Sequence, residues 1–274
     1  MKLTTFMLIA LAVCFLAVSG MAALRTNLVS AWTFDDGTAN DQASTGNHGA
    51  FKNGAKAGAG KRGQGLVLDN PTNPAAGKNT GQYVSIPSSK SLEQADGIFS
   101  ISLWLNVKKD GARDHSGFFF KGEKIGWGAL FMVRAATTSA TNMTFGSCWE
   151  GTEGWFATND AYKEGEWTHV AYVADGKFAT AFVNNKIPAS DQTNPKPIKT
   201  PLLTFPKSPV VFGVGRGIGG TVGNDFWIDG TIDEIYFWNR ALSKAEVESL
   251  FTGATVTAVD ARDRLTTKWG EIKQ

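Results

Sequence analysis

Two kinds of residue in this chain could do chemistry: carboxylates inside an expected strand, and aromatic rings in glycine-rich segments. The stretch TIDEIYFWNRALSKAEVESLF, residues 231–251, puts Asp233 and Glu234 within an alternating run. Alternation assigns Asp233, Ile235 and Phe237 to one face and Ile232, Glu234, Tyr236 and Trp238 to the other. If the first row faces a core, Asp233 requires a cation, an arginine or several N–H donors, because an unpaired buried carboxylate costs several kcal/mol or stays protonated. The rings are Trp127, Trp149, Trp155, Phe156 and Tyr162, carried by GWGALF and CWEGTEGWFATNDAYKEGEW. An aromatic face can stack on the apolar side of a sugar ring while amides and carboxylates take its hydroxyls. Trp127, Trp149, Trp155 and Tyr162, with Glu150, Asn159 and Asp160 as their polar fringe, are therefore the candidate ligand-binding set. The competing reading is that some of these rings are core, as strand alternation already assigns Trp32, Trp104, Trp167 and Phe182.

Other chemistry finds no residues to carry it. His48, His115 and His169 lack zinc spacing, and GVGRGIGG, residues 213–220, lacks the following helix and the Lys-Ser/Thr of a phosphate-binding loop. With 27 basic and 25 acidic residues, nothing in the charge balance recruits nucleic acid or an acidic membrane surface.

The elements that must position these groups are mostly strands. Apolar or alternating runs recur between turns at 28–34, 65–69, 82–86, 99–107, 117–120, 129–134, 143–148, 167–174, 180–183, 210–213 and 226–238. Asp175-Gly176 between two such runs is a hairpin signal, and Asn184-Asn185 supplies the next turn. Trp167, His169, Ala171 and Val173 then share one face, with Thr168, Val170 and Tyr172 opposite, in a hairpin expected at the centre of its sheet. Helix is expected as one turn near Ser89–Gln94 and as a closing segment after Ser243. There Ser243 and Glu246 form a capping box, Leu242 and Val247 have staple spacing, and Gly253 stands at the C-terminal cap.

Residues 1–22 read as a secretory signal: Lys2, an apolar run from Phe6 to Val18, then small residues, with cleavage after Ala22. That run is shorter than the roughly 20 residues a spanning helix needs. The expected product is secreted, periplasmic or on the cell surface, with no transmembrane segment and with Cys148 as its one cysteine. The reading is one domain at 23–253 and a tail at 254–274, in an all-β, two-sheet antiparallel jelly-roll sandwich with a short C-terminal helix.

Taken together, LVSAWTFDDGTANDQASTGNHGAF, GKRGQGLVLDN, YVSIPSSKSL, FSISLWLNV, GEWTHVAYVADGKFATAFVNNK and IDGTIDEIYFWNRALSKAEVESLF resemble, in order, the laminin G-like branch of the concanavalin A-like lectin and glucanase superfamily, in its bacterial secreted form. The match spans about 28–251 and departs from the family turn by one inserted residue, Thr45. The resemblance implies a jelly-roll sandwich, often with structural calcium and often used to bind glycans. It also implies antiparallel pairing of the first and last strands, which would bring Asp35 and Asp36 near Asp233 and Glu234. A hard cation with a flexible shell of oxygens would relieve their repulsion, so the implied Ca²⁺ candidates are Asp35, Asp36, Asp41, Asn47, Asp233 and Glu234. The alternative is that Asp36 and Asp41 cap turns while Asp233 accepts N–H bonds from the 44–49 turn or pairs with Arg240. Glycosidases of this superfamily carry a Glu-x-Asp-x-x-Glu strand, and no Glu-x-Asp occurs here. The expected function is therefore a non-catalytic module binding a polysaccharide or cell-surface glycan. The alternative is an envelope structural or adhesion protein engaging other envelope proteins.

Overall fold

The short runs pair as antiparallel strands in two stacked sheets. The structure, a computed structural model, describes residues 23–71, 80–112, 115–123, 129–135, 142–150, 152–159, 161–189, 193–215 and 226–256. Its strands are β1 (Leu28–Trp32), β2 (Ala50–Lys52), β3 (Lys56–Ala59), β4 (Gln64–Leu68), β5 (Tyr83–Ile86), β6 (Ile98–Val107), β7 (Gly117–Gly122), β8 (Ala129–Ala135), β9 (Met143–Trp149), β10 (Thr152–Thr158), β11 (Thr168–Asp175), β12 (Phe178–Val183), β13 (Lys196–Pro197), β14 (Val210–Phe212) and β15 (Gly230–Trp238), followed by helix α1 (Lys244–Thr252). The first sheet runs β13-β12-β11-β6-β15-β4-β3, with β1 also on β15; the second runs β10-β9-β8-β7-β14-β5-β2. This is the expected jelly-roll class. Among the described residues no helix is long and apolar enough to cross a membrane.

Between the sheets, Phe99 and Phe119 flank Phe131 at ring-centre distances of 5.4 and 5.3 Å, and Phe237 lies 5.3 Å from the same ring. Such pairs add to the area they bury through edge and offset contacts. Alternation along β11 sends Val170, Tyr172 and Ala174 into this core and leaves Ala171 and Val173 on the outer face. That outer face is covered by α1, whose Val247 and Leu250 pack with Leu242, Tyr236 and Trp238. The β11–β12 hairpin turns at Asp175-Gly176 with Gly176 at φ 88°, and Asn184 and Asn185 follow at φ 45° and 60°. It lies toward one side of the sheet; β6 and β15 hold the centre.

Strand β15 corrects the simple alternation. On one flank it pairs with β6 throughout, whereas on the other it pairs with β4 through Gly230–Ile232 and with β1 through Ile235–Trp238. The partner changes at Asp233-Glu234, where the register shifts and Glu234 takes φ 51°. This bulge inserts one residue, so Ile232 joins Ile235 and Phe237 in the core rather than sharing a face with Tyr236 and Trp238. Residues 152–158, expected as part of a glycine-rich loop, form β10 in full register with β9.

The helix start is as expected: the Glu246 N–H donates to Ser243 Oγ (3.3 Å), and the Ser243 N–H donates to Glu246 Oε2 (2.8 Å). Arg240 holds the same carboxylate at 2.6 and 3.0 Å and donates to the carbonyls of Ala23 and Thr26. Gly253 closes the helix at φ 133°, its N–H on the Ser249 carbonyl. Ser243→Ala should cost about 1 kcal/mol in urea unfolding. An unchanged midpoint would show that Arg240 alone holds the helix start.

Candidate functional site

The carboxylates singled out in the sequence are held by protein donors. In the bulge of β15, Asp233 Oδ2 accepts from the Arg62 backbone N–H (3.0 Å) and Oδ1 accepts from the Glu234 N–H (2.7 Å). Gly60 allows that approach, since a Cβ there would stand 2.6 Å from Asp233 Oδ2. The Arg62 side chain then donates to Glu234 Oε2 (3.1 Å), which Tyr236 Oη also reaches. The same guanidinium donates to the carbonyls of Ala254 (3.1 Å) and Leu250 (3.3 Å), tying the loop after β3 to the end of α1. Burial pushes the Asp233 carboxyl up to about 7, the Arg62 N–H pulls it down, and the neighbouring Glu234 charge raises it again. Burial likewise raises Glu234, against the pull of Tyr236 and Arg62.

The remaining acids point elsewhere. Asp35 Oδ1 accepts from the Gln64 N–H (2.8 Å), and Asp36 caps its own turn through the Thr38 N–H (2.9 Å) and Oγ1 (2.7 Å). Asp41 Oδ1 accepts from the N–H groups of Ala31 and Ala43, both 2.9 Å, and its Oδ2 from the Asn47 N–H (3.0 Å). The inserted Thr45 brings its hydroxyl to 2.9 Å from Asp41 Oδ2. Asn47 Oδ1 accepts from Ser89 Oγ (2.6 Å), and its carbonyl accepts from Trp32 Nε1 (2.9 Å). These residues do not fit a calcium ion: their oxygens face donors, and among the described residues no three His, Cys, Asp or Glu side chains form a metal-holding group. The first and last strands do meet, as expected, but the acids at their ends divide between separate donor sets. Asp233 takes one donor from the loop after β3 and one from its own bulge rather than from the 44–49 turn, and Arg240 is engaged with Glu246.

The expected ring site is also taken apart. Trp127 and Asp160 lie outside the described residues. Tyr162 is buried edge-on to Phe118 at 6.1 Å, and Trp149 is buried, its ring over Gly154, where a Cβ would stand 2.1 Å from it. Because β10 is a strand, neighbouring rings take opposite faces: Phe156 enters the core beside Phe145, and Trp155 lies half-buried against Cys148 and Met132. Glu150 is exposed at the β9–β10 turn and Asn159 is half-exposed. Among the described residues, these side chains do not make one exposed strip.

An aromatic groove exists instead on the outer face of the first sheet, beside the end of α1. Trp104, Trp167 and Phe251 line it with Lys61, Arg62 and Asn184, around a volume of about 550 Å³. Trp104 and Phe251 stack at 5.9 Å with planes 15° apart, and Lys61 Nζ lies 4.4 Å from the centre of the Trp104 ring. Asn184 and Phe251 also border a second depression of about 650 Å³ lined by Asn159, Lys186, Ile187 and Pro188. Behind Trp104, His169 contacts Ser102 Oγ through Nε2 (2.8 Å); burial pushes this imidazole down to about 3, leaving it neutral. The Asn184 side chain is fixed by the His169 N–H at 3.0 Å. On this outer row Trp104 and His169 are buried, Trp104 as expected from the sequence, whereas Trp167, expected as core, is only half-buried because α1 stops short of it.

A laminin G model of the concanavalin A-like lectin/glucanases superfamily matches residues 78–248, a span that includes Trp104, Trp167, Asn184 and Lys186. No curated protein matches in sequence. Among solved structures, domain 4 of AbnA, a GH43 extracellular arabinanase from Geobacillus stearothermophilus in complex with arabinotriose, is similar at TM-score 0.57 and 18% identity, over 82% of this chain and 98% of that one. The binding domain of Paraclostridial Mosquitocidal Protein 1 is similar at 0.57 and 17%, over 83% of this chain and 52% of that one. The binding domain of botulinum neurotoxin DC, in complex with rat synaptotagmin II, gives 0.61 and 12%, over 84% and 52%. The chain thus spans nearly all of the arabinanase domain and about half of each toxin chain. At these identities the likeness is one of fold.

Proposed function

Because the chain belongs to the laminin G-like branch of the concanavalin A-like lectin/glucanase superfamily, we propose that it is a non-catalytic module binding carbohydrate in the groove of Trp167 and Phe251, with the buried Trp104 as its floor. The observation that carries this reading is the groove itself: ring surface beside the fixed amide of Asn184, in a concavity large enough for a sugar residue. The arabinotriose in the arabinanase domain supports a saccharide ligand for a sandwich of this kind. Two-carboxylate hydrolysis needs a pair of acids about 5 to 9.5 Å apart across a glycosidic bond, and no acid lines either depression among the described residues. The leader-like residues 1–22 support export to the periplasm, the cell surface or the medium, where such ligands occur.

Trp167→Ala tests the groove without opening the main core. Loss of one stacking platform should weaken binding in affinity electrophoresis or on a glycan array by about tenfold, close to 1.4 kcal/mol, with the melting temperature nearly unchanged. Undiminished retention of the bound glycan by this variant would remove the groove from the account. A blank array with wild-type protein would favour the adhesion reading.

A further inference from the structure

The groove carries charge of one sign, and that says which saccharides it suits. Lys61 borders the first depression and Lys186 the second, and the two depressions share Asn184 and Phe251. Both lysines are exposed, and among the described residues neither has a carboxylate within ion-pair distance. No acidic side chain borders either depression among the described residues.

Arg62 does not add to this free charge, because it is engaged with Glu234. It does remove an opposing one. The C-terminal end of a helix carries partial negative charge that disfavours anions, and α1 ends at the groove. The Arg62 guanidinium covers the Leu250 and Ala254 carbonyls, while the N–H groups of Gly253 and Ala254 cover Ser249 O. Lys61 is meanwhile held over the Trp104 ring at 4.4 Å, a cation–π contact that fixes the ammonium before any ligand arrives.

We infer that this groove selects acidic saccharides, carboxylated or sulfated, with Lys61 and Lys186 as the two cationic contacts and Trp167 and Phe251 as the ring platform. The inference rests on the carbohydrate reading above and adds the ligand's charge to it. Lysine ammoniums are point charges rather than bidentate forks, so charge, more than the planar geometry of one acid group, is what this arrangement recognises.

The test uses the full chain and three probes of similar length: an oligogalacturonate, a neutral galacto-oligosaccharide and a sulfated heparin fragment. Titration calorimetry at low and moderate salt should show at least tenfold tighter binding of an acidic probe than of the neutral one, weakening as salt rises. The carboxylated and sulfated arms distinguish the two sources of charge, and binding of either supports the inference. The double variant Lys61→Gln with Lys186→Gln should lose about tenfold of the preference for the acidic over the neutral probe, together with the salt dependence of acidic binding. Equal, salt-insensitive binding of neutral and acidic probes, still lost in Trp167→Ala, would overturn the charge preference and keep the carbohydrate site. Trp167→Ala without effect on any probe would overturn the carbohydrate reading itself.

Discussion

Replacing Arg62 by methionine should destabilise the protein by roughly 3 to 5 kcal/mol, the usual consequence of removing one member of a buried ion pair. Methionine keeps much of the side-chain volume, so the loss isolates the charge. Glu234, 3% exposed, would keep only Tyr236 as a side-chain donor, and the Leu250 and Ala254 carbonyls would lose theirs. For a domain of this size the change corresponds to a fall in melting temperature of about 10 °C. The companion measurement is a melt with EDTA. A guanidinium that takes the place of a cation predicts identical wild-type melts with and without chelator, because an ion bound only by the folded state would stabilise by mass action. A chelator-sensitive wild type, or an Arg62→Met protein that melts like its parent, would refute this account of the bulge.

The second large effect is on pH. Asp233 has its carboxyl raised from 3.8 to about 7 in the folded state, first by burial and then by the Glu234 charge. An acid raised in this way contributes stability that is fully present below its unfolded value and is lost as pH rises through the folded one. Between about pH 4 and pH 7 that contribution should fall by roughly 4 kcal/mol, at 1.36 kcal/mol per pKa unit. Glu234 is shifted in the same direction. His169 acts oppositely: its folded value of about 3 lies below 6.5, so its contribution is present above pH 6.5 and fades toward acid. The wild-type pH profile therefore mixes two signs, and the informative quantity is the stability of wild type minus that of Asp233→Asn across the range. That difference should decline from pH 4 to 7 and level off above. A flat difference, or a carboxyl resonance for Asp233 that titrates near 4, would contradict it.

Much of the scaffold was legible because its signals are local. The capping box at Ser243 and Glu246, the Asp175-Gly176 hairpin and the asparagine turn at Asn184-Asn185 each declare themselves within a few residues, and all three form. The meeting of β1 and β15 followed from the family resemblance rather than from local pattern. What escaped was whatever depended on partners far along the chain. Arg62 and Glu234 stand 172 positions apart, and nothing beside either names the other. The bulge at Asp233 arises because β4 and β1 divide one flank of β15, and alternation alone continued through it. For the rings, composition gave chemistry without exposure: Tyr162 is sealed against Phe118, whereas Trp167 borders open space. Trp104 and Trp167 were both read as core, and Trp104 is buried whereas Trp167 is half-exposed. Coverage of that face depended on where α1 stops.

The pairing of Leu28 with Trp238 puts the beginning and the end of the sandwich at the same extremity of an antiparallel ladder. Traction between the two ends would therefore peel that ladder rung by rung rather than strain all its rungs together. The C-terminal side would give way first at the Arg62 contacts to Leu250 and Ala254. Such a geometry offers little mechanical resistance end to end, and it suits a molecule moored by one terminus better than a link under tension between two anchors.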